Sequence, residues 1–422
     1  MPPSALGPLR ATALTRRQHD FFLPLPRVIF VNRVYWPAQA ATAQLLTDLA
    51  EGLVPRLREW EVHVIAAGTG LAERNGVAIH RTGGTERHGG FLSQARNYGQ
   101  FLRRARQQLA VLVRPGDLVV PMTDPPLLGA AVAGLALARG ARVVHWVQDI
   151  YPEIVTAHVG ALAGLPLWPL QYKRNAAWRS AHFCVTLGAG MAQVIARQGV
   201  SPGKLAVVAN WAPRELDIEP SAAVVAACRV AWGLVDKFIV VYSGNLGRVH
   251  DFATVIEAAE QLRSHAEIVF LFIGRGAQFD QVRTAAKARG LKGIRMLPPE
   301  SRDDLAAALA AADVHLVTLK PAFGDLVYPS KLAGVLAAGR PVLFVGPPDG
   351  EIALLLATAD CGQTAAPGDG RKLAETILEW QAAPDRRQLL GRNARAACEK
   401  HFTFARALER WEEILRRAAA SG

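Results

Sequence analysis

The chain has 422 residues, of which 50% are hydrophobic and 20% charged, a balance that excludes a disordered chain and, at this length, a single small core. Lys and Arg outnumber Asp and Glu by 48 to 36, giving a formal net charge of +12. That excess suits an anionic ligand, an anionic membrane surface or nucleic acid, and is equally met by scattered arginines solvated on helix faces.

Residues 1–26 read as a flexible leader. Its apolar run, Phe21–Pro26, is too short and too proline-rich for a secretory signal. No run of roughly 18 apolar residues predicts a spanning helix. Val28–Val31 reads as a buried parallel strand, followed by a polar-aromatic loop and a helix over Ala38–Leu57 with Leu45, Leu46, Leu49 and Leu53 on one face. Strand-like runs recur at Val62–Ala66, Leu118–Pro121, Val143–Val147 and Phe183–Thr186, separated by helical stretches. This alternation predicts a doubly wound parallel sheet. The pattern changes near residue 212 and restarts with strands at Phe238–Tyr242, Ile268–Ile273, Ile294–Leu297, Val314–Leu319 and Val342–Val345. The fold class expected is therefore α/β: two Rossmann-like domains, 27–212 and 213–400, facing across a cleft. A final basic, amphipathic helix over 401–422 either packs on its own domain or crosses back to the first. Cys184, Cys228, Cys361 and Cys398 stand in no CxxC spacing, so neither a zinc site nor a disulfide framework is indicated, which fits a reducing cytoplasm.

In such sheets ligands sit beyond the carboxyl ends of the strands, which directs attention to four loops. Tyr242–His250 (YSGNLGRVH) combines glycines that admit close backbone approach with Arg248, a guanidinium suited to a diphosphate, and His250 as a further donor. The helix that follows offers its N-terminus to phosphate. A plain tight strand-to-helix turn explains the same glycines. Phe272–Gly276 (FIGRG) is a second, weaker glycine turn. In Tyr328–Leu332 (YPSKL), Ser330 is placed to cap a helix and Lys331 falls in its first turn. There a lysine opposes the helix dipole unless an anion is near, or is simply solvated. In Val144–Glu153 (VHWVQDIYPE), Asp149 and Glu153 either accept hydrogen bonds from sugar hydroxyls or cap the next helix.

Taken together, four segments resemble retaining glycosyltransferases of family 4, which have the GT-B fold, and most closely the colanic-acid and O-antigen exopolysaccharide branch. They are Asn32–Ala50, His145–Ile154, Tyr242–Arg248 and Pro329–Val342; Gly350-Glu351-Ile352-Ala353 also fits. The resemblance runs from about Arg27 to about residue 410. It implies a nucleoside-diphosphate sugar donor held by the second domain: Gly244, Asn245, Gly247, Arg248 and His250 at the diphosphate, Ser330 and Lys331 opposite, Gly274 and Gly276 beside the nucleotide, and Glu351 at the ribose. Asn32, Gln39, Thr42 and His145 would lie on the acceptor side. Gln148, Asp149, Arg248 and Lys331 would carry catalysis, with no metal and no cofactor. The branch implies a sugar or lipid-linked sugar acceptor at the cytoplasmic leaflet, and Leu167–Arg174 with Trp178-Arg179 mixes aromatic and basic residues as an interfacial helix does; a helix burying its tryptophan reads the same way. The chain departs from the broad family at the Glu-x7-Glu pair, where Leu326 and Gly334 stand, and at the loop cations, replaced by Asn245 and His250. Two other readings stay open: a nucleotide-sugar epimerase of the same fold, and a binding scaffold without activity. Nucleic-acid binding is not expected, because no recognition module appears.

Overall fold

The computed structural model describes residues 25–84, 91–160 and 166–421, so the leader through residue 24 lies outside it. The first sheet has eight strands in the order β3-β4-β2-β1-β5-β6-β7-β8. They are β1 (Arg27–Val31), β2 (Glu61–Ala66), β3 (Glu73–Arg74), β4 (Val77–Arg81), β5 (Leu118–Pro121), β6 (Arg142–Val147), β7 (Phe183–Thr186) and β8 (Leu205–Val207). Every pairing is parallel except that of the two-residue β3 with β4. Its covering helices are α1 (Ala41–Leu53), α2 (Phe91–Leu112), α3 (Leu128–Ala138), α4 (Glu153–Val159), α5 (Trp168–Ser180) and α6 (Ala189–Arg197).

After α7 (Ala222–Trp232) comes a second sheet, ordered β11-β10-β9-β12-β13-β14. Its strands are β9 (Phe238–Asn245), β10 (Ile268–Arg275), β11 (Ile294–Leu297), β12 (Val314–Thr318), β13 (Val342–Val345) and β14 (Gly362–Ala365). All are parallel, and the order reverses direction beside β9, which opens a crevice at the carboxyl ends of β9 and β12. The helices are α8 (Ala253–Gln261), α9 (Phe279–Ala288), α10 (Leu305–Ala310), α11 (Lys331–Ala337), α12 (Glu351–Thr358), α13 (Gly370–Ala382), α14 (Pro384–His401) and α15 (Phe404–Ala420). The strands are short Val/Ile/Phe-rich runs because both faces are covered; β1, for instance, is buried at every residue.

The chain passes between the sheets twice. Residues 208–213 lead out of the first, and Phe402-Thr403 leads back; the Ala212 amide donates to the Phe402 carbonyl at 2.9 Å. Helix α15 then lies in the first sheet's core. Trp411, Ile414 and Leu415 are fully buried there among Val28, Phe30 and Trp146. Trp411 packs 4.8 Å from Trp146, which stacks in turn on Trp211 at 6.2 Å. The last helix thus closes the first domain's core while its chain belongs to the end of the second.

Truncating Trp411 to Ala removes one of the three tryptophans of that seam. We expect a loss of about 3–5 kcal/mol in urea unfolding of the first domain, with an unfolding midpoint for the second domain that moves little.

Candidate functional site

The two glycine turns are one structure. Strands β9 and β10 stay paired through Ser243↔Ile273, Gly244↔Gly274 and Arg275↔Asn245. The expected glycine loop at Ser243–Gly247 is therefore sheet as far as Asn245. Glycine is what lets the pairing run so far: Gly244 has φ +126°, and a Cβ on Gly274 would lie 1.9 Å from the Gly244 carbonyl oxygen. Gly276 is required in the same way, since a Cβ there would meet the Leu246 backbone at 2.7 Å. Gly274 and Gly276 thus build the edge on which Gly244 and Asn245 sit. Gly247 follows, its Cβ position 3.2 Å from Asn245 Nδ2, and Asn245 and Arg248 are exposed at the rim.

The positive charge available here comes from side chains. Helix α8 is already capped, its Thr254 amide donating to Asp251 Oδ1 at 3.0 Å, so an anionic side chain offsets that helix end. His250 is buried and is no cation: desolvation, with Lys331 nearby, pushes its pKa down to about 3. Its Nδ1–H donates to the Thr318 carbonyl, which leaves Nε2 as an acceptor and removes the donor that the sequence reading assigned to it. Ser330 stands at the head of α11 with its hydroxyl exposed and making no cap bond. Lys331 runs into the glycine edge. Its Cε is 3.4 Å from the Cβ position of Gly244, its Nζ sits 3.6 Å from the centre of the Tyr242 ring, and it donates to the Tyr242 hydroxyl. Among the described residues it has no carboxylate partner, and burial holds its pKa well below the ordinary lysine value.

Across the crevice stands Asp149, in the chain just after β6. Burial, reinforced by Asp124, raises its carboxyl to about 6. Asp124 itself is held by a bidentate Arg33 at 2.9 Å, with Arg33 lying over the Tyr98 ring. The segment carrying Asp149 is tied by backbone to the second domain: Asp149 bridges to Val327, and the Ile150 amide donates to the Leu326 carbonyl at 2.9 Å. Asp149 is thereby set opposite the residues that lead into Lys331.

Other expected residues have structural tasks. Gln148 is buried in a reciprocal amide pair with Asn210, at 3.2 and 2.9 Å, which fixes the first crossover and consumes the side chain assigned to catalysis. His145 lies in the core on the face covered by α3 and α5, and desolvation pushes its pKa to about 4. With Asp149 and Arg174 it lines a cavity of about 30 Å3, room for a water and not for an acceptor sugar. Asn32 is buried and donates to the Val34 carbonyl at 2.8 Å, shaping the loop after β1. Gln39, exposed, and Thr42, half-buried, remain at the carboxyl end of β1. Glu351 is exposed at the start of α12, and its carboxylate takes the Gly190 amide of α6 at 3.3 Å, so it faces the other domain instead of a ribose pocket. Glu153 is bound by Arg174, and does not cap. The sequence reading missed Tyr242, Asn210 and the Arg33–Asp124 pair; only the latter had a signal, since both residues flank strand ends. Among the described residues no group of three or more His, Cys, Asp or Glu is placed to hold a metal, and no helix is long and apolar enough to cross a membrane.

Comparison with known proteins covers both halves. The model of group 1 glycosyl transferases matches residues 229–397, and that of glycosyltransferase family 4 matches residues 42–215. The Escherichia coli (strain K12) protein WcaI, named for colanic acid biosynthesis glycosyl transfer, is 34% identical over 155 residues, 36% of this chain and 38% of that protein. The Pseudomonas aeruginosa protein WbjE, named as a glycosyltransferase, is 29% identical over 277 residues, 64% of this chain and 68% of its own length. The match thus spans well under half the length of the first relative and about two thirds of the second. Among solved structures, Anabaena HepE in complex with UDP-glucose superposes with a TM-score of 0.72 at 17% identity, covering 92% of this chain and 99% of that one.

The Asp149 carboxyl gives a test with a definite sign. Its folded pKa lies above the ordinary 3.8, so its ionisation costs stability as pH rises from about 4 through about 6. Asp149→Asn should raise stability by about 2 kcal/mol at pH 8 and leave it unchanged at pH 4, while sugar transfer falls at least about tenfold; thermal melts at both pH values and a transfer assay read the two effects.

With matching family models over both domains, two facing α/β sheets and relatives of this kind, the chain belongs to the GT-B glycosyltransferases of family 4, near their exopolysaccharide branch.

Proposed function

We propose that the protein transfers a sugar, with retention of configuration, from a nucleoside diphosphate to an acceptor hydroxyl during cell-surface polysaccharide or glycolipid assembly. The observation that carries the reading is Lys331: a part-buried lysine without an acid partner among the described residues, laid along a backbone edge kept open by glycines. Such a cation is costly unless an anion shares the site. The diphosphate lies between Lys331 and Arg248 over Gly244 and Asn245, with Ser330 beside it. As the anomeric C–O bond breaks, charge grows on the diphosphate, so both cations stabilise the transition state more than the ground state. No metal is needed for that neutralisation. Asp149 faces the donor sugar from the acceptor side, and the leaving phosphate takes the acceptor proton on the same face. Anabaena HepE holding UDP-glucose in the same fold supports a nucleotide-sugar donor.

A lipid-linked acceptor at the cytoplasmic face of the inner membrane is supported by the surface of the first domain. Trp168 is 64% exposed, Tyr172 59% and Val159 54%. Trp178, from the same aromatic-basic segment, is buried under Arg174 and belongs to the core. Helices α2, α3 and α5 lie side by side, with Arg96, Arg103, Arg106, Arg139 and Lys173 exposed. Exposed aromatics beside bases are what a peripheral protein presents to anionic headgroups.

Purified protein melted with UDP-, GDP-, ADP- and dTDP-sugars should be stabilised by one nucleotide class. Lys331→Ala should abolish the shift, and Lys331→Ala and Arg248→Ala should each cut donor turnover about tenfold or more. A product formed without any acceptor would instead support an epimerase, and binding without transfer a scaffold. On vesicles, sedimentation should require anionic lipid and fall when Trp168 and Tyr172 are both changed to Ala; equal binding to neutral vesicles would count against the membrane reading.

A further inference from the structure

Tyr242 is a buried tyrosine at the floor of the glycine edge whose hydroxyl has two partners. It donates to the Asn245 carbonyl at 2.9 Å, closing the turn from beneath, and accepts from Lys331 Nζ. Its ring is fixed edge-on by Phe252 at 4.8 Å and by His250 at 5.7 Å. A hydroxyl that donates in one direction and accepts in another has a defined orientation. It therefore holds the lysine nitrogen at one place under the glycine backbone.

The groups facing that nitrogen are few. From β9 comes Tyr242, and from the loop after it His250, which is neutral; α11 itself brings no charge besides Lys331, and β12 contributes the Thr318 carbonyl that binds His250. None is an anion. We propose that Tyr242 is a positioning residue that parks Lys331 in the empty site, and that the donor's diphosphate draws the lysine off the phenol with uptake of a proton from solvent.

The chemistry balances simply: amine, proton and diphosphate give an ammonium–diphosphate pair, and the tyrosine keeps its own proton. Burial favours the uncharged amine while the site is empty, and also pushes the phenol pKa well up, so Tyr242 stays a neutral acceptor. A diphosphate reverses the preference at the lysine and leaves the phenol as it was. Affinity for the donor then falls as pH rises through the window between the free and bound values of Lys331.

This inference rests on the donor reading above, and one experiment separates them. Titrate the full chain by calorimetry at pH 8.5 with UDP-glucose, GDP-mannose, ADP-glucose and dTDP-glucose, in two buffers of different ionisation enthalpy. The sugar that binds should bring uptake approaching about one proton per site, and Lys331→Arg, which stays charged, should bind with none. Tyr242→Phe keeps the ring and should melt near the parent temperature, while the donor binds about threefold or more tighter and kcat changes by less than about twofold, because the phenol holds the lysine only while the site is empty. Binding without proton uptake, or a Tyr242→Phe enzyme with the parental donor Kd, overturns this inference and leaves the donor site standing. Failure of all four sugars to bind overturns both.

Discussion

Lys331 lies along the face of Tyr242 and beneath a glycine backbone, with no carboxylate to balance it among the described residues. A lysine so placed is held by weak partners, an aromatic face and a phenol oxygen. The cost is borne by the second sheet. Gly244, Gly274 and Gly276 give up side chains so that two strands approach closely enough to form the wall above it. Tyr242 is buried in a cluster with Phe252 and Phe272, which fixes the floor below. On the donor reading proposed above, a diphosphate present during binding and transfer offsets that cost.

The first domain is made to answer to that position. Its Asp149 hangs on a strand end whose backbone pairs with Val327, and the Leu326 carbonyl takes the Ile150 amide. Glu351, in turn, reaches the start of α6. Three contacts thus link the crevice walls above, while the crossovers at Ala212 and Phe402 link them below. Because α15 fills the first core, the chain's end fastens the two halves together.

The architecture was legible in the sequence because buried parallel strands are short apolar runs, and nearly every such run became a strand. The two-residue β3, its neighbour β4 and the edge strand β14 left no such mark, being short or broken by polar residues. Lys331 and Asp149 were singled out by residue type and strand-end position, and the structure sets them on the two walls of the crevice. Site residues were misread where a polar residue had a buried partner far along the chain. Gln148 finds Asn210, and His145 fits under Gly129, where a Cβ would lie 2.5 Å from its ring. No local pattern distinguishes an amide aimed at a substrate from one aimed at another amide. Tyr242 escaped notice for the opposite reason: within an apolar strand a tyrosine reads as core, and only the course of α11 gives its hydroxyl a lysine.

The departures from the broader family make physical sense as a set. Gly334 points toward Leu216, Pro213 and Leu309, where a glutamate would be an unpaired charge among hydrocarbon. Leu326 serves the interdomain bridge through its backbone carbonyl, a role that any side chain fills. On the cationic side, Asn245 is neutral and His250 is held uncharged by burial and by Lys331 itself. A site that gives up anions at one wall has less need of cations at the other. On the proposed donor reading, one lysine and one arginine face the diphosphate, so the differential stabilisation falls on few side chains. Such a site depends on the placement of those few side chains more than one in which several charges share the task.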